Sequence, residues 1–248
     1  MTDLSINLNK IALIRNSREG NYPDVVAFAQ LCIDQGADGI TVHPRPDQRH
    51  IRPDDVRRLA ALVKPLANVE FNVEGNPFAP AVEDYPGFIE LVTETMPDQC
   101  TLVPDGDDQL TSDHGFDLTS SGDPLRPIIE QLHKLGIRVS LFMDPDLAQI
   151  ELAKEIGADR IELYTGPYAA AWGSDQQESL FQQHLAAAEL ATRLGMGVNA
   201  GHDLNLHNLA KFASIPSLLE VSIGHAFTVD SLTLGMAKTV QSYKALLG

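Results

Sequence analysis

The greatest capacity for chemistry lies between Ile40 and Asp55, where an apolar strand pattern runs into His43, Arg45, Arg49, His50 and Arg52 before a helix start. Imidazole has an unperturbed pKa of about 6.5, so it accepts and returns protons near neutrality. Arginine's planar fork takes phosphate or carboxylate oxygens two at a time. Together they make a loop suited to binding an anion and moving protons. The chain as a whole is acidic, with 34 Asp and Glu against 18 Lys and Arg and a formal charge of −16, so the concentration of cations has a local reason. Other ionisable groups fall at the ends of further apolar runs: Asn9 and Lys10, Glu70, Glu162, His202 and His225. One histidine alone reads as structural, whereas three with a glutamate at strand ends point to acid/base work.

Such groups need elements that bring them together. Four segments share one grammar, an amphipathic stretch, a Gly stop and then an apolar run: Gly36-Ala-Asp-Gly-Ile, Leu135-Gly-Ile-Arg-Val, Gly157-Ala-Asp-Arg-Ile and Leu194-Gly-Met-Gly-Val. That is a helix C-cap feeding a strand. Helix starts are marked by Pro23-Asp24, Pro53-Asp54-Asp55 and Pro145-Asp146, where proline and acid suit the first turn. The apolar runs predict strands near 4–8, 39–43, 68–73, 99–103, 137–142, 160–164, 196–200 and 219–223, each followed by helical spacing such as Val56, Leu59, Ala60 and Val63. Eight strand and helix pairs in 248 residues predict a (β/α)₈ TIM barrel built as a single α/β domain over 1–248.

A doubly wound open sheet competes with the barrel, and side-chain alternation separates the two. Val69, Phe71 and Val73 share one face of the third strand while Glu70, Asn72 and Glu74 share the other, and the first and eighth strands alternate in the same way. An open parallel sheet covered on both sides is apolar on both faces, so a repeated polar face fits a barrel lumen. His43 shares Thr41's face and is expected to point to the barrel axis. Glu70 is expected inside the barrel, where desolvation raises a carboxyl's pKa; its other reading is an ion pair with Arg138. Gly201 and Gly224 end the seventh and eighth strands, whose loops commonly form a phosphate site.

Two connections are long. Residues 104–123, rich in Gly, Ser and Asp, follow a strand end and are expected to form a lid. Thr165–Ser174 holds the only Trp and is expected to be an extra short helix or a subunit contact. Cys32 and Cys100 are expected to be buried free thiols. The negative balance argues against nucleic acid or an anionic membrane as main partner. No run approaches the roughly 18 apolar residues of a membrane span, and the first residues lack signal-peptide blocks, so a cytoplasmic protein acting on small molecules is expected. No His-x-His or His-Glu-x-x-His pattern suggests a metal site.

Asn7-Leu-Asn-Lys-Ile-Ala with Arg15-Asn-Ser-Arg18, Gly39-Ile-Thr-Val-His43 with Arg45 and His50-Ile, Asn68-Val-Glu70, Val198-Asn-Ala-Gly-His202 and Ile223-Gly-His225-Ala resemble the PdxJ family, the pyridoxine 5′-phosphate synthases. The resemblance runs end to end. It implies a TIM barrel, assembled as a homo-octamer. Its reaction condenses 3-amino-2-oxopropyl phosphate with 1-deoxy-D-xylulose 5-phosphate, without a metal or organic cofactor. By matching motif, His43 is a proton acceptor, Glu70 a second acid/base and His202 a proton donor, while Asn7, Arg18, Arg45, His50, Thr111, Gly224 and His225 bind substrate. The matched binding segments also take in Asn9, Lys10 and Asp203. Asn9-Lys10 stands where the family commonly has Asp-His, Asp203 where it has Gly, and Phe227-Thr-Val-Asp230 where it has small and basic residues. The two added acids are expected to weaken a phosphate site unless Lys10 compensates. Two other functions fit a barrel with these groups: an aldolase-like enzyme with a Schiff base on Lys10, and a sugar-phosphate-binding barrel without turnover.

Overall fold

The computed structural model describes residues 1–106 and 108–248. Eight parallel strands close on themselves in chain order: β1 (Asp3–Asn7), β2 (Gly39–Val42), β3 (Glu70–Gly75), β4 (Gln99–Leu102), β5 (Arg138–Met143), β6 (Arg160–Tyr164), β7 (Gly197–Gly201) and β8 (Leu218–Ile223). β1 pairs with β8 as well as with β2, which completes the (β/α)₈ barrel and excludes the open sheet. Around it stand α1 (Asn9–Asn16), α2 (Val25–Asp34), α3 (Pro53–Val63), α4 (Phe88–Thr95), α5 (Leu118–Lys134), α6 (Leu147–Glu155), α7 (Gly166–Ala170), α8 (Gln177–Arg193), α9 (Leu209–Phe212), α10 (His225–Leu234) and α11 (Met236–Leu247).

Local chemistry sets these boundaries. The four Gly stops, Gly36, Gly136, Gly157 and Gly195, all have positive φ between +76° and +100°, a left-handed conformation that glycine adopts without a Cβ clash. The acids beside Pro23 and Pro145 do not sit inside the first turn as expected. Asp24 and Asp146 are N-caps whose carboxylates accept backbone N–H groups of Val26 and Ala148, satisfying donors that a helix start leaves unpaired. Pro53 opens α3 at its first position.

The strands sort their side chains by pleat. Leu4, Ile6, Ile40, Val42, Phe71, Val73, Leu141 and Val221 face the helices and are almost wholly buried. The other face builds a polar lumen. Ser5 bonds to Thr41 at 2.7 Å, Thr101 donates to Asn72 at 3.1 Å, and Asn199 reaches across from β7 to Gln99 of β4 at 3.3 Å. These bonds satisfy buried polar groups that would otherwise cost stability.

One strand begins later than expected. β3 starts at Glu70 rather than residue 68, with Gly39 of β2 opposite Glu70 in the register. That shift decides where the carboxylates of β3 end up. The β4–α5 connection lies over the C-terminal mouth, but residues 118–123 of the expected 104–123 lid are the first turns of α5, and Asp107 lies outside the described residues. Within Thr165–Ser174, residues 166–170 form α7, and Trp172 packs edge-on against Tyr168 with ring centroids 5.8 Å apart. Cys32 and Cys100 are buried and free, and burial pushes the Cys32 thiol up to about 12.

Candidate active site

A cavity of about 330 Å³ opens at the C-terminal mouth of the barrel, the size of a small-ligand pocket. The ends of β1, β2, β3, β6 and β8, the loops after β4 and β7, and the start of α10 all contribute to its wall. This is the rim on which barrel enzymes place their reacting groups.

His43 lies just past the end of β2, where the backbone N–H of His43 donates to Asn9 Oδ1 at 2.9 Å. Asn9 is thereby tied to the scaffold, its own N–H donating to Asn7 Oδ1 at 3.0 Å. The ring sits between two carboxylates. Nδ1 is 3.6 Å from Glu74 Oε1 and Nε2 is 3.3 Å from Asp105 Oδ2. Glu74 also accepts from Asn7 Nδ2 at 2.9 Å. Asp105 is 2.5 Å from Arg45 Nη2 and accepts from Ser112 Oγ at 3.0 Å, so one carboxylate gathers the β2 and β4 loops. A proton on either nitrogen of His43 thus has an acceptor facing it.

The rest of the Ile40–Asp55 loop is held from behind. Arg15 is buried, 2.5 Å from Asp55 and donating to the His50 carbonyl at 2.9 Å, while Asn16 donates to the same carbonyl at 2.8 Å. His50 accepts the Ile51 N–H at Nδ1, 2.9 Å away, which leaves its Nε2–H as the donor. Desolvation, reinforced by electrostatic interaction with the neighbouring His43, Arg45, Lys10 and Arg49, pushes the His50 pKa down to about 2. It is a neutral hydrogen-bonding group throughout the physiological range.

Across the cavity, Glu162 of β6 is buried, and desolvation followed by the nearby Glu74 and Glu220 pushes its pKa well above the usual carboxyl range. Carboxyls near one another raise each other's cost of ionising, which adds to the effect of burial on Glu162. Gly201 makes room for it, since a Cβ there would land on the Glu162 carboxyl. Gly224 precedes α10, and a Cβ on it would come within 3.0 Å of the Asn7 side chain. Gly224 and His225, at the start of α10, line the cavity, and a helix start favours an anion.

A family model described as "Pyridoxal phosphate biosynthesis protein PdxJ" matches residues 4–248. The chain belongs to the PdxJ family. It is 55% identical over 247 residues to a pyridoxine 5′-phosphate synthase of Xanthomonas campestris pv. campestris, covering 99% of this chain and 96% of that one. It is 52% identical to one of Xylella fastidiosa, covering 99% and 95%. Among solved structures, the tryptophan synthase alpha chain of Legionella pneumophila superposes with a TM-score of 0.66 at 14% identity, covering 99% of this chain and 91% of that one. The 3-hexulose-6-phosphate synthase of Salmonella typhimurium gives 0.64 at 18%, covering 99% and 98%. At that identity the likeness is one of fold.

In this PdxJ-family chain the cavity brings together Asn7, Asn9, Lys10, His43, Arg45, His50, Thr111, His202, Asp203, Gly224 and His225. Two residues expected in the site are elsewhere. Arg18 is exposed beyond the end of α1 and outside the cavity lining. Glu70 is at the opposite end of the barrel, its carboxylate paired with Arg138 through Nη1 at 3.2 Å and through Nη2. The cause is the start of β3 at Glu70, which places that residue at the N-terminal mouth. Glu74, four residues on, occupies the site instead. The sequence carries the signal twice, since Asn68-Val-Glu70 and Asn72-Val-Glu74 are the same tripeptide. Asp105 was also missed; it follows the fourth strand run directly, the same kind of position that singled out His43 and Arg45. Of the two added acids, Asp203 lines the cavity, 3.1 Å from His202 Nδ1, while Asp230 lies outside the cavity lining and accepts from Tyr243 Oη at 2.6 Å.

Proposed function

We propose that this chain is a single barrel domain acting as a pyridoxine 5′-phosphate synthase, condensing 3-amino-2-oxopropyl phosphate with 1-deoxy-D-xylulose 5-phosphate to pyridoxine 5′-phosphate, phosphate and water. The observation that carries the reading is His43 held between Glu74 and Asp105, facing a cavity that ends on an anion-favouring helix start. Imine formation, loss of phosphate and ring closure each move protons between carbon, nitrogen and oxygen. His43 serves as proton acceptor, with Glu74 beside it to pass the proton on. Glu162, its pKa raised by burial, serves as a proton donor, and His202 returns a proton from the other wall. One phosphate is met by the α10 N-terminus with Gly224 and His225, the other by Arg45, His50 and Lys10. The β4–α5 loop, whose Leu110, Thr111 and Ser112 line the cavity, acts as a lid that excludes water.

Assembly into a homo-oligomer is supported by exposed apolar side chains on two neighbouring helices, Leu13 and Ile14 of α1 with Val229 and Leu232 of α10. A cytoplasmic location fits a biosynthetic enzyme, and no helix among the described residues is long and apolar enough to cross a membrane. Incubating the protein with both substrates while following pyridoxine phosphate absorbance tests the function. Product formation is expected; a folded protein that binds the phosphates without turnover would instead be a binding barrel, and borohydride trapping on Lys10 would indicate Schiff-base chemistry.

A further inference from the structure

His202 and Asp203 both adopt left-handed backbone conformations, with φ of +87° and +60°. Non-glycine residues are uncommon there, and two in succession persist only where the surroundings hold them. The surroundings do so here. Thr165 Oγ1 donates to the carbonyls of Gly201, at 2.7 Å, and of His202, and Asn208 Nδ2 donates to the Asp203 carbonyl at 3.2 Å. Glycine would adopt the Asp203 conformation with less strain, so the carboxylate is what the position gains from a side chain.

That carboxylate lies 3.1 Å from His202 Nδ1, and His202 Nε2 is 2.9 Å from Thr111 Oγ1. A carboxylate only accepts, so Nδ1 carries the hydrogen; in the neutral ring Nε2 then presents its lone pair and the Thr111 hydroxyl donates to it. The Asp203 pKa is lowered, chiefly by this bond to His202 and further by the charges of His225 and Lys10, so the acceptor is ionised at neutral pH. The edge-on ring of Tyr164, with centroids 5.2 Å apart, fixes the imidazole plane.

We propose that Asp203 is a positioning residue: it fixes His202 as the Nδ1–H tautomer with Nε2 aimed into the cavity, and Thr111 occupies that nitrogen from the lid until a substrate group displaces it. The part concerning turnover rests on the synthase reading; the tautomer does not. Histidine-15N NMR of the full chain, with the His202 signals assigned by comparison with His202→Gln, reads the tautomer directly. The wild type is expected to show Nδ1 protonated and Nε2 bare. Asp203→Gly, which suits the backbone, and Asp203→Asn, which keeps the shape, are both expected to mix the tautomers and to lower kcat about tenfold with KM within about twofold. Asp203→Glu is expected to restore the Nδ1–H form. A wild-type Nε2–H tautomer, variants that leave the tautomer unchanged, or altered tautomers with unchanged kcat would each overturn the proposal. A wild type that forms no product would overturn the synthase reading alone, leaving the tautomer test to decide the Asp203–His202 contact.

Discussion

The two mouths of the barrel are built from the same residue types and do opposite things with them. At the N-terminal mouth the two lumen glutamates each have a guanidinium: Glu70 pairs with Arg138, and Glu220 lies 3.5 Å from Arg160. At the C-terminal mouth Glu74 and Asp105 flank the imidazole of His43, and Glu74 is also close enough to Glu162 to raise its pKa. A guanidinium beside a carboxylate favours its charged form, whereas a second carboxylate disfavours it; burial still pushes the Glu220 pKa up to about 7 against the opposing charge of Arg160. One strand contains both arrangements, with Glu70 and Glu74 on the same face and four residues apart. Position along the lumen, rather than residue type, therefore separates a structural carboxylate from a reactive one.

The largest effect should come from the C-terminal mouth. His43→Asn is expected to lower kcat by about 10²- to 10⁴-fold, the usual contribution of a general base, with thermal stability little changed. A kcat within threefold of wild type would remove His43 from the chemistry. An intermediate effect concerns acid stability. The folded pKa of His50 is depressed to about 2, so the unfolded chain binds the extra proton first as pH falls. Its contribution to stability is complete above about pH 6.5 and is lost progressively below it, amounting to about 2 kcal/mol at pH 5. His50→Gln should therefore flatten the fall in Tm between pH 7 and pH 5, and melting curves that fall equally steeply in both proteins would contradict this. The smallest effect belongs to the far mouth. Arg138 and Glu70 are partly exposed, so Arg138→Met should cost less than about 1 kcal/mol in chemical denaturation and leave kcat within twofold.

Much of this contrast was legible in the sequence, because periodicity and punctuation are local. Gly36, Gly136, Gly157 and Gly195 marked helix ends through the backbone freedom of glycine, and the alternation of Glu70, Asn72 and Glu74 with Val69, Phe71 and Val73 marked the lumen. Depth within the barrel was not legible, since it depends on where the hydrogen-bonded ladder starts relative to neighbouring strands. A two-residue shift in the start of β3 leaves the same face inward yet moves Glu70 from the expected site to the opposite mouth. The roles of Asp105 and Asp203 were equally hidden, for they follow from contacts between the ends of different strands and their loops.

The central claim is that the reactive carboxylate of β3 is Glu74 and not Glu70, and one paired measurement tests it. Steady-state synthase assays of Glu74→Gln and Glu70→Gln, under identical conditions, should show kcat lowered about 100-fold or more for the first and unchanged within about threefold for the second. Full loss in Glu70→Gln with near-normal turnover in Glu74→Gln would contradict the account and return the acid/base role to the N-terminal mouth.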